Sequence, residues 1–459
     1  MSFTKSTLLG SAAVVATVIG AQAADLPSKK AAPATYVKIC DAYGAGFFYI
    51  PGSDTCVRLG GYVRAEYQYV PGKDVINATT GAIAQSKNIQ AETGFETRGR
   101  IDVDARTPTA MGVARTFVRL RAANTSGIRN TRSDTDKSAT GFGQSDNSTT
   151  GITIESAMVQ WAGFTFGVAS ENYAMMPSMI YNANPWAGFP NGMKQIAYTA
   201  TLGGGLSATL ALEDRRDFGY DQTAFQRVST GANLVGNIRM DQSWGFAAVH
   251  SLLGNNSVDK STAVDGTIGD KTYSSYAIGA TVNFKLPMIA AGDQIWFTAN
   301  YADGALGALL SAGGLNTMAS ASAKRINGGV IRVDSNLVRV SGAGTAANPF
   351  VLDSTTGWNF SMAATHYWAK DWRSNFSAGY VEMNPPTSTV ATTWGKGKLW
   401  EVAGSIIYSP VKDLDVGLEL QYANLKSKMQ NPTAAFIAAG QPGLNVSNIT
   451  TKLRVERTF

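Results

Sequence analysis

The most restrictive feature of this chain is a period of two. From Val57 to Tyr69 the odd positions carry Val57, Leu59, Val63, Ala65, Tyr67 and Tyr69, and Arg58, Arg64, Glu66 and Gln68 stand between them. Phe95 to Ala105 repeats the pattern, with Ile101 and Val103 set against Glu96, Arg98, Arg100, Asp102 and Asp104, and Leu414 to Tyr422 repeats it again. Successive side chains of a strand point to opposite faces, so each segment reads as a strand with one apolar and one polar face. No later segment has an apolar run long enough for a membrane helix.

Alternation alone does not separate a soluble sandwich from a barrel with lipid outside. Three further patterns do. Aromatics recur at strand ends, as in Trp358 and Trp368, Trp372 and Tyr380, Trp400 and Tyr408, and Tyr276 and Phe284, which suits girdles at two membrane interfaces. Tight turns such as Ala162-Gly163 and Pro410 to Asp413 alternate with long polar segments, of which 303–357 is the longest. The final strand ends on Phe459 in phase with Leu453 and Val455. Strands are expected near 56–69, 93–106, 113–122, 151–161, 164–170, 194–201, 206–213, 231–240, 244–252, 273–284, 293–302, 358–368, 372–382, 398–409, 414–423 and 447–459. The expected fold is therefore all-β, a sixteen-stranded antiparallel transmembrane barrel over 56–459, wide enough for an aqueous channel. Val330 to Val340 reads as part of a hairpin within the longest loop, with a seventeenth strand as the alternative.

Lys5 precedes an apolar stretch from Leu8 to Gly20 that ends at Ala21-Gln22-Ala23, so 1–23 reads as a cleaved secretory signal. Residues 24–55 then form a periplasmic N-terminal segment. Cys40 and Cys56 are the two cysteines of an exported chain and are expected to form a disulfide that closes a loop around Pro51-Gly52.

Composition narrows the function. Only 16% of residues are charged, against about 25% in soluble proteins. The formal charge of +6 is dispersed, with no Lys/Arg run longer than two, so no nucleic-acid partner is expected. Histidine occurs only at His250 and His366, both assigned here to the lipid row. A histidine base or His-zinc site has little to work with, so neither catalytic residue, metal nor cofactor is expected. A secreted or surface β-rich adhesin is the alternative class. The 32 residues of 24–55 are too few for the plug domain of an energy-coupled transporter.

The stretch Cys40-Asp-Ala-Tyr-Gly-Ala-Gly-Phe-Phe-Tyr-Ile-Pro-Gly-Ser-Asp-Thr-Cys56, followed by Arg58-Leu-Gly-Gly-Tyr-Val-Arg64, resembles the N-terminal signature of the alphaproteobacterial general porins. Ala24-Asp25-Leu26-Pro27, Trp161-Ala-Gly-Phe-Thr-Phe-Gly167 and the terminal Phe459 are similar as well. The resemblance implies a homotrimeric outer-membrane diffusion channel for small hydrophilic solutes and ions, set in a bilayer with lipopolysaccharide. It also implies that Phe459 is an assembly signal and that the third extracellular loop, here 171–193, folds inward as a constriction loop.

That loop departs from the family pattern. Glu171 is its one acid, accompanied by three prolines and by Tyr173, Met175, Met176, Met179, Tyr181 and Trp186. Its apolar side chains either pin the loop to the wall or form a slide for amphipathic solutes. Opposite it, Arg58, Arg64, Arg98, Arg100, Arg106, Arg115, Arg119 and Arg121 are expected to project into the lumen as a basic wall. Facing lipid at the midplane they would cost about 2–4 kcal/mol each. With Glu66, Glu96, Asp102 and Asp104 on the same rows, the wall carries a net +4 and favours anions, unless the arginines mainly pair with these acids as a structural ladder. Lys194 is read as a base beside Glu171, and Trp244, Phe246, Ala248 and Leu252 as a subunit contact.

Overall fold

A computed structural model describes residues 38–71, 75–77, 83–85, 92–127, 148–181, 192–214, 227–228, 231–258, 271–309, 326–327, 337–342, 348, 351–389, 393–432, 434, 437 and 443–459. The expected leader 1–23 and Trp186 lie outside the described residues.

Sixteen strands form the barrel. They are β1 (Cys56–Tyr69), β2 (Thr93–Thr109), β3 (Gly112–Thr125) and β4 (Ser148–Trp161), then β5 (Phe164–Ala169), β6 (Met193–Gly203), β7 (Leu206–Asp214) and β8 (Ala232–Gln242). There follow β9 (Gly245–Val258), β10 (Lys271–Lys285), β11 (Gln294–Asp303) and β12 (Thr356–Ala369), and finally β13 (Trp372–Asn384), β14 (Thr393–Val411), β15 (Leu414–Gln430) and β16 (Gly443–Thr458). Each pairs antiparallel with the next. β16 returns to β1, with Tyr62 opposite Thr458 and Tyr69 opposite Thr451, so the sheet closes. Two short strands, Phe48–Tyr49 and Arg227–Val228, extend the sheet outside this ring.

Local chemistry sets the turns. Between β4 and β5 the chain reverses at Ala162 (φ 50°) and Gly163 (φ 85°), the paired positive φ of a tight hairpin. A Cβ at 163 would lie 2.9 Å from the Thr199 carbonyl, so glycine is required there twice over. On the outer face the odd row of β1 is exposed, with Leu59 at 58% and Val63 at 55%, while Tyr62 and Glu66 on the even row are buried. The expected aromatics Trp358, Trp368, Trp372, Tyr276, Phe284 and Trp400 are exposed at strand ends. The structure thus presents an apolar belt with aromatic ends to its surroundings, the inverse of a soluble surface.

Some expectations shift and others hold. Strands run further on the long-loop side than their alternation indicates, β15 to Gln430 and β3 to Thr125. Leu337–Ser341 pairs with Val351–Ser354 in a separate two-stranded sheet, so this part of the longest loop adds no barrel strand. Phe246 and Ala248 are buried on the inward row of β9, with Phe246 edge-on to Trp296 at 5.2 Å, so they form no outer patch. His250 shares that inward row and is also buried. On β9 both rows are apolar, which is why polarity picked the wrong one. His366 does lie on the outer row of β12, its Nδ1 2.6 Å from the buried Asp293 carboxylate.

Candidate functional site

The eight arginines all lie on the inward rows of β1, β2 and β3, and each stands within ion-pair distance of an acid. Asp104, almost wholly buried, gathers three of them: Arg58 at 3.9 Å, Arg106 at 2.9 Å and Arg115 at 2.9 Å. Asp102 takes Arg119 at 2.9 Å and Arg100 at 3.3 Å. Arg98 pairs with Glu96 at 2.5 Å, and Arg121 with Glu155 at 3.0 Å. Across the closing seam Arg64 meets Glu456 at 2.5 Å, while Glu66 receives Arg454 at 2.5 Å and Lys452 at 3.6 Å.

The register explains this lattice. Arg58 sits opposite Asp104, Asp102 opposite Arg119, and Glu66 opposite Arg454, which are favourable cross-strand pairs. Arg64 faces Arg98, Arg100 faces Arg121, and Arg106 faces Arg115, arrangements that repel on their own. Interleaved acids make them tolerable. Arg64 and Arg100 also lie over the Tyr62 ring at 4.6 and 4.3 Å, so one aromatic ring attracts both guanidinium groups.

Glu155 was not foreseen. A bulge at β3–β4, between Arg119–Ser156 and Leu120–Ile154, turns both Glu155 and Ser156 inward. Its trace in the sequence is a slip of phase, from exposed Ile152 and Ile154 to exposed Val159 and Trp161. With Lys452, Arg454, Glu155 and Glu456 included, ten basic groups face six acidic ones. The excess remains four positive charges, half of it around Asp104.

Facing this wall, residues 170–181 leave β5 and run through the bore. Asn172 donates its backbone N–H to Glu213 (2.7 Å) and its amide to Gln195 and Glu213 (2.6 and 2.8 Å), on β6 and β7. Tyr173 packs edge-on to His250 of β9 at 4.6 Å. Ser361 and Thr365 of β12 donate to the sulfurs of Met176 and Met179 at 3.9 and 3.7 Å, and Asn375 of β13 donates to the Met179 carbonyl at 2.7 Å. The two methionines are therefore pinned to the wall, while Pro177 and Ser178 are exposed to the bore.

Tyr181 lies on the far side. Its N–H donates to Glu419 of β15, its carbonyl accepts from Lys452 (2.8 Å) and Arg454 (3.0 Å) of β16, and the Arg454 guanidinium covers its ring at 3.9 Å. Gly417 leaves room for that ring: a Cβ there would overlap the phenol oxygen and lie 2.8 Å from Cζ. Burial pushes the Tyr181 phenol up to about 12 and raises that of Tyr173 further, so both stay neutral at ordinary pH.

One other expectation for this region changes. Lys194 is on the outward row of β6, exposed and paired with Asp214 at 3.1 Å, so it does not oppose Glu171. Glu401 and Glu419 are inward but buried, and Asp415 is paired with Arg373 at 2.5 Å. Cys40 and Cys56 are joined with a Cα separation of 6.1 Å, and Phe47 of the closed loop lies against Arg58 and Arg106 at 5.2 and 4.9 Å. Phe459 is exposed at its ring and exchanges two 3.1 Å backbone hydrogen bonds with Gly61. Among the described residues no group of three or more His, Cys, Asp or Glu is placed to hold a metal.

The chain is similar to known proteins. A family model described as a porin subfamily matches residues 25–447. Porin Omp2b of Brucella suis biovar 1 is 33% identical over 257 residues, covering 53% of this chain and 64% of that protein, and Porin Omp2b of Brucella abortus (strain 2308) matches at the same identity and coverage. The match thus spans less than two thirds of the length of those relatives. The outer membrane channel DcaP of Acinetobacter baumannii shares the fold, with a TM-score of 0.58 over 90% of this chain and 99% of that one at 16% identity. Since the family match begins before the disulfide loop and runs through β15 into the first residues of β16, it takes in fifteen strands of the barrel and the start of the sixteenth, and the chain belongs to this porin subfamily.

Proposed function

We propose that the chain forms a water-filled passive diffusion channel in the outer membrane, admitting small hydrophilic solutes and ions. The observation that carries this reading is the segment 170–181, anchored from β6 round to β16 and facing a wall of ten basic and six acidic side chains. In this reading loop 171–193, with Glu171, Tyr173, Tyr181 and Trp186, narrows the bore. Arg58, Arg64, Arg98, Arg100, Arg106, Arg115, Arg119 and Arg121 are its basic side. Residues 1–23 direct export and are removed, 24–55 lie in the periplasm, the long segment 303–357 belongs to the extracellular side, and Phe459 serves assembly. The channel works as a homotrimer among lipid and lipopolysaccharide.

Each guanidinium has five N–H donors, and a carboxylate shared by three arginines cannot occupy them all. Spare donors around Asp104 and Asp102 offer transient sites to passing anions, and four excess charges in a narrow aqueous space raise anion over cation concentration. The preference is weak to moderate because the acids cancel most of the charge. Purified protein in a planar bilayer under a KCl gradient tests this: discrete conductance steps with an anion-selective reversal potential are expected, and absence of steps refutes the channel.

A further inference from the structure

We propose that Gly304–Leu309 is a second inward element that fills the bore from the side away from the arginines and so confines the conducting path to the charged wall. This rests on the channel reading above. The six residues, Gly-Ala-Leu-Gly-Ala-Leu, follow β11 on the long-loop side and hold no polar side chain, unlike a segment built to sit in water. Leu306 and Leu309 are 2% and 1% exposed and belong to one apolar cluster with Tyr173 and Met176 of the inner loop.

The walls are shaped to receive them. Asn256 of β9 donates to the Gly304 carbonyl at 2.8 Å, Gly304 donates its N–H to the Thr355 carbonyl at 2.9 Å, and Asn359 of β12 donates to the Leu309 carbonyl. Gly357 makes room, since a Cβ there would lie 2.7 Å from a Leu309 methyl and 2.8 Å from the Glu382 carbonyl. Ala277, Ala302 and Ala363 stand on the inward rows of β10, β11 and β12 and are buried by the same cluster. A strand wall that faced water would place polar groups there; small apolar ones mark a surface that is packed against. The two inner segments therefore share one dry contact, and water is left the crescent between them and β16 to β4.

The test uses the full-length protein in planar bilayers. Leu306→Ser with Leu309→Ser removes the apolar seat, and single-channel conductance should rise by about twofold if the freed side becomes as wet as the other. Ala308 is half-buried at the edge of the cluster, and the native cysteines are bonded to each other, so Ala308→Cys adds a lone thiol with little risk to folding. A charged methanethiosulfonate reagent should lower the current of that variant and leave the native channel unchanged. A double serine variant that conducts as the native protein does, or an Ala308→Cys current indifferent to the reagent, overturns the inference. A native protein without conductance overturns instead the channel reading on which it rests.

Discussion

Adding one methyl group at Gly417 should loosen the inner segment without touching the barrel. Gly417 is on the inward row of β15, opposite Arg454 of β16, and its missing side chain is the floor under Tyr181. In Gly417→Ala the new Cβ meets Cζ at 2.8 Å and Cε2 at 2.9 Å, where ordinary contact needs about 3.5–4.0 Å. The ring must move by roughly 1 Å or more and gives up its position under Arg454, an interaction of about 0.5–2 kcal/mol when partly desolvated. A loss of about 1–2 kcal/mol lowers the ratio of seated to unseated segment by about 5–30-fold. Single-channel records should show more frequent closures or sublevels, with the heat stability of the barrel unchanged. The Tyr181 oxygen is buried without a hydrogen-bond partner, so Tyr181→Phe alone should be nearly silent, yet it removes the nearest clashing atom. The Gly417→Ala/Tyr181→Phe double variant should therefore recover part of the native record, a coupling that a double-mutant cycle measures. Native gating in Gly417→Ala, or no recovery in the double variant, refutes this account of the anchor.

Arg119→Ser and Arg121→Ser should each move the reversal potential under a KCl gradient toward cation selectivity, because each leaves Asp102 or Glu155 less compensated; no shift in either places the narrowest point elsewhere. The native anion preference should also fade at about 1 M salt, where the Debye length is roughly 3 Å. Replacing Cys40 and Cys56 with Ser removes a constraint on a loop of sixteen residues, worth about 3 kcal/mol in the chain-entropy model, and should lower assembly yield while leaving conductance unchanged. In detergent the protein should run as a heat-sensitive, high-mass species, and identical mobility before and after boiling would count against the closed assembly.

Much of the wall could be read from residues alone, because β1, β2 and β3 alternate between lipid and water and the two solvents sort side chains unambiguously. The arginine rows fell where the alternation put them. Their pairing did not follow from it, since which acid meets which arginine depends on the stagger between neighbouring strands, and one extra residue at Glu155 changes a row. On β9 to β12 the inward side chains meet Tyr173, Met176 and Leu309 rather than water, so His250 and Phe246 look like lipid-facing residues in the sequence. The same packing hid Gly304–Leu309 within what reads as one long outer loop. Glu171 remains the one acid of the inner loop, but the polar work of holding that loop is done by Glu213 and Glu419 on the wall, which no local pattern in 171–193 announces.

The seam between β1 and β16 has a kinetic consequence. Its ion pairs join residues 392 and 388 apart in sequence, Arg64 to Glu456 and Arg454 to Glu66. Such contacts come late, since the entropy of closing so long a loop is lost before any of them forms. Until then both terminal strands carry free edges, each able to pair with the wrong strand or another chain. Charge limits the error: a slip of one residue would turn Arg454 toward lipid and Leu453 toward Glu66, and a slip of two would set Arg64 against Arg454. The seam thus acts as a proofreading step, in which only the register that cancels its charges lets the ring shut.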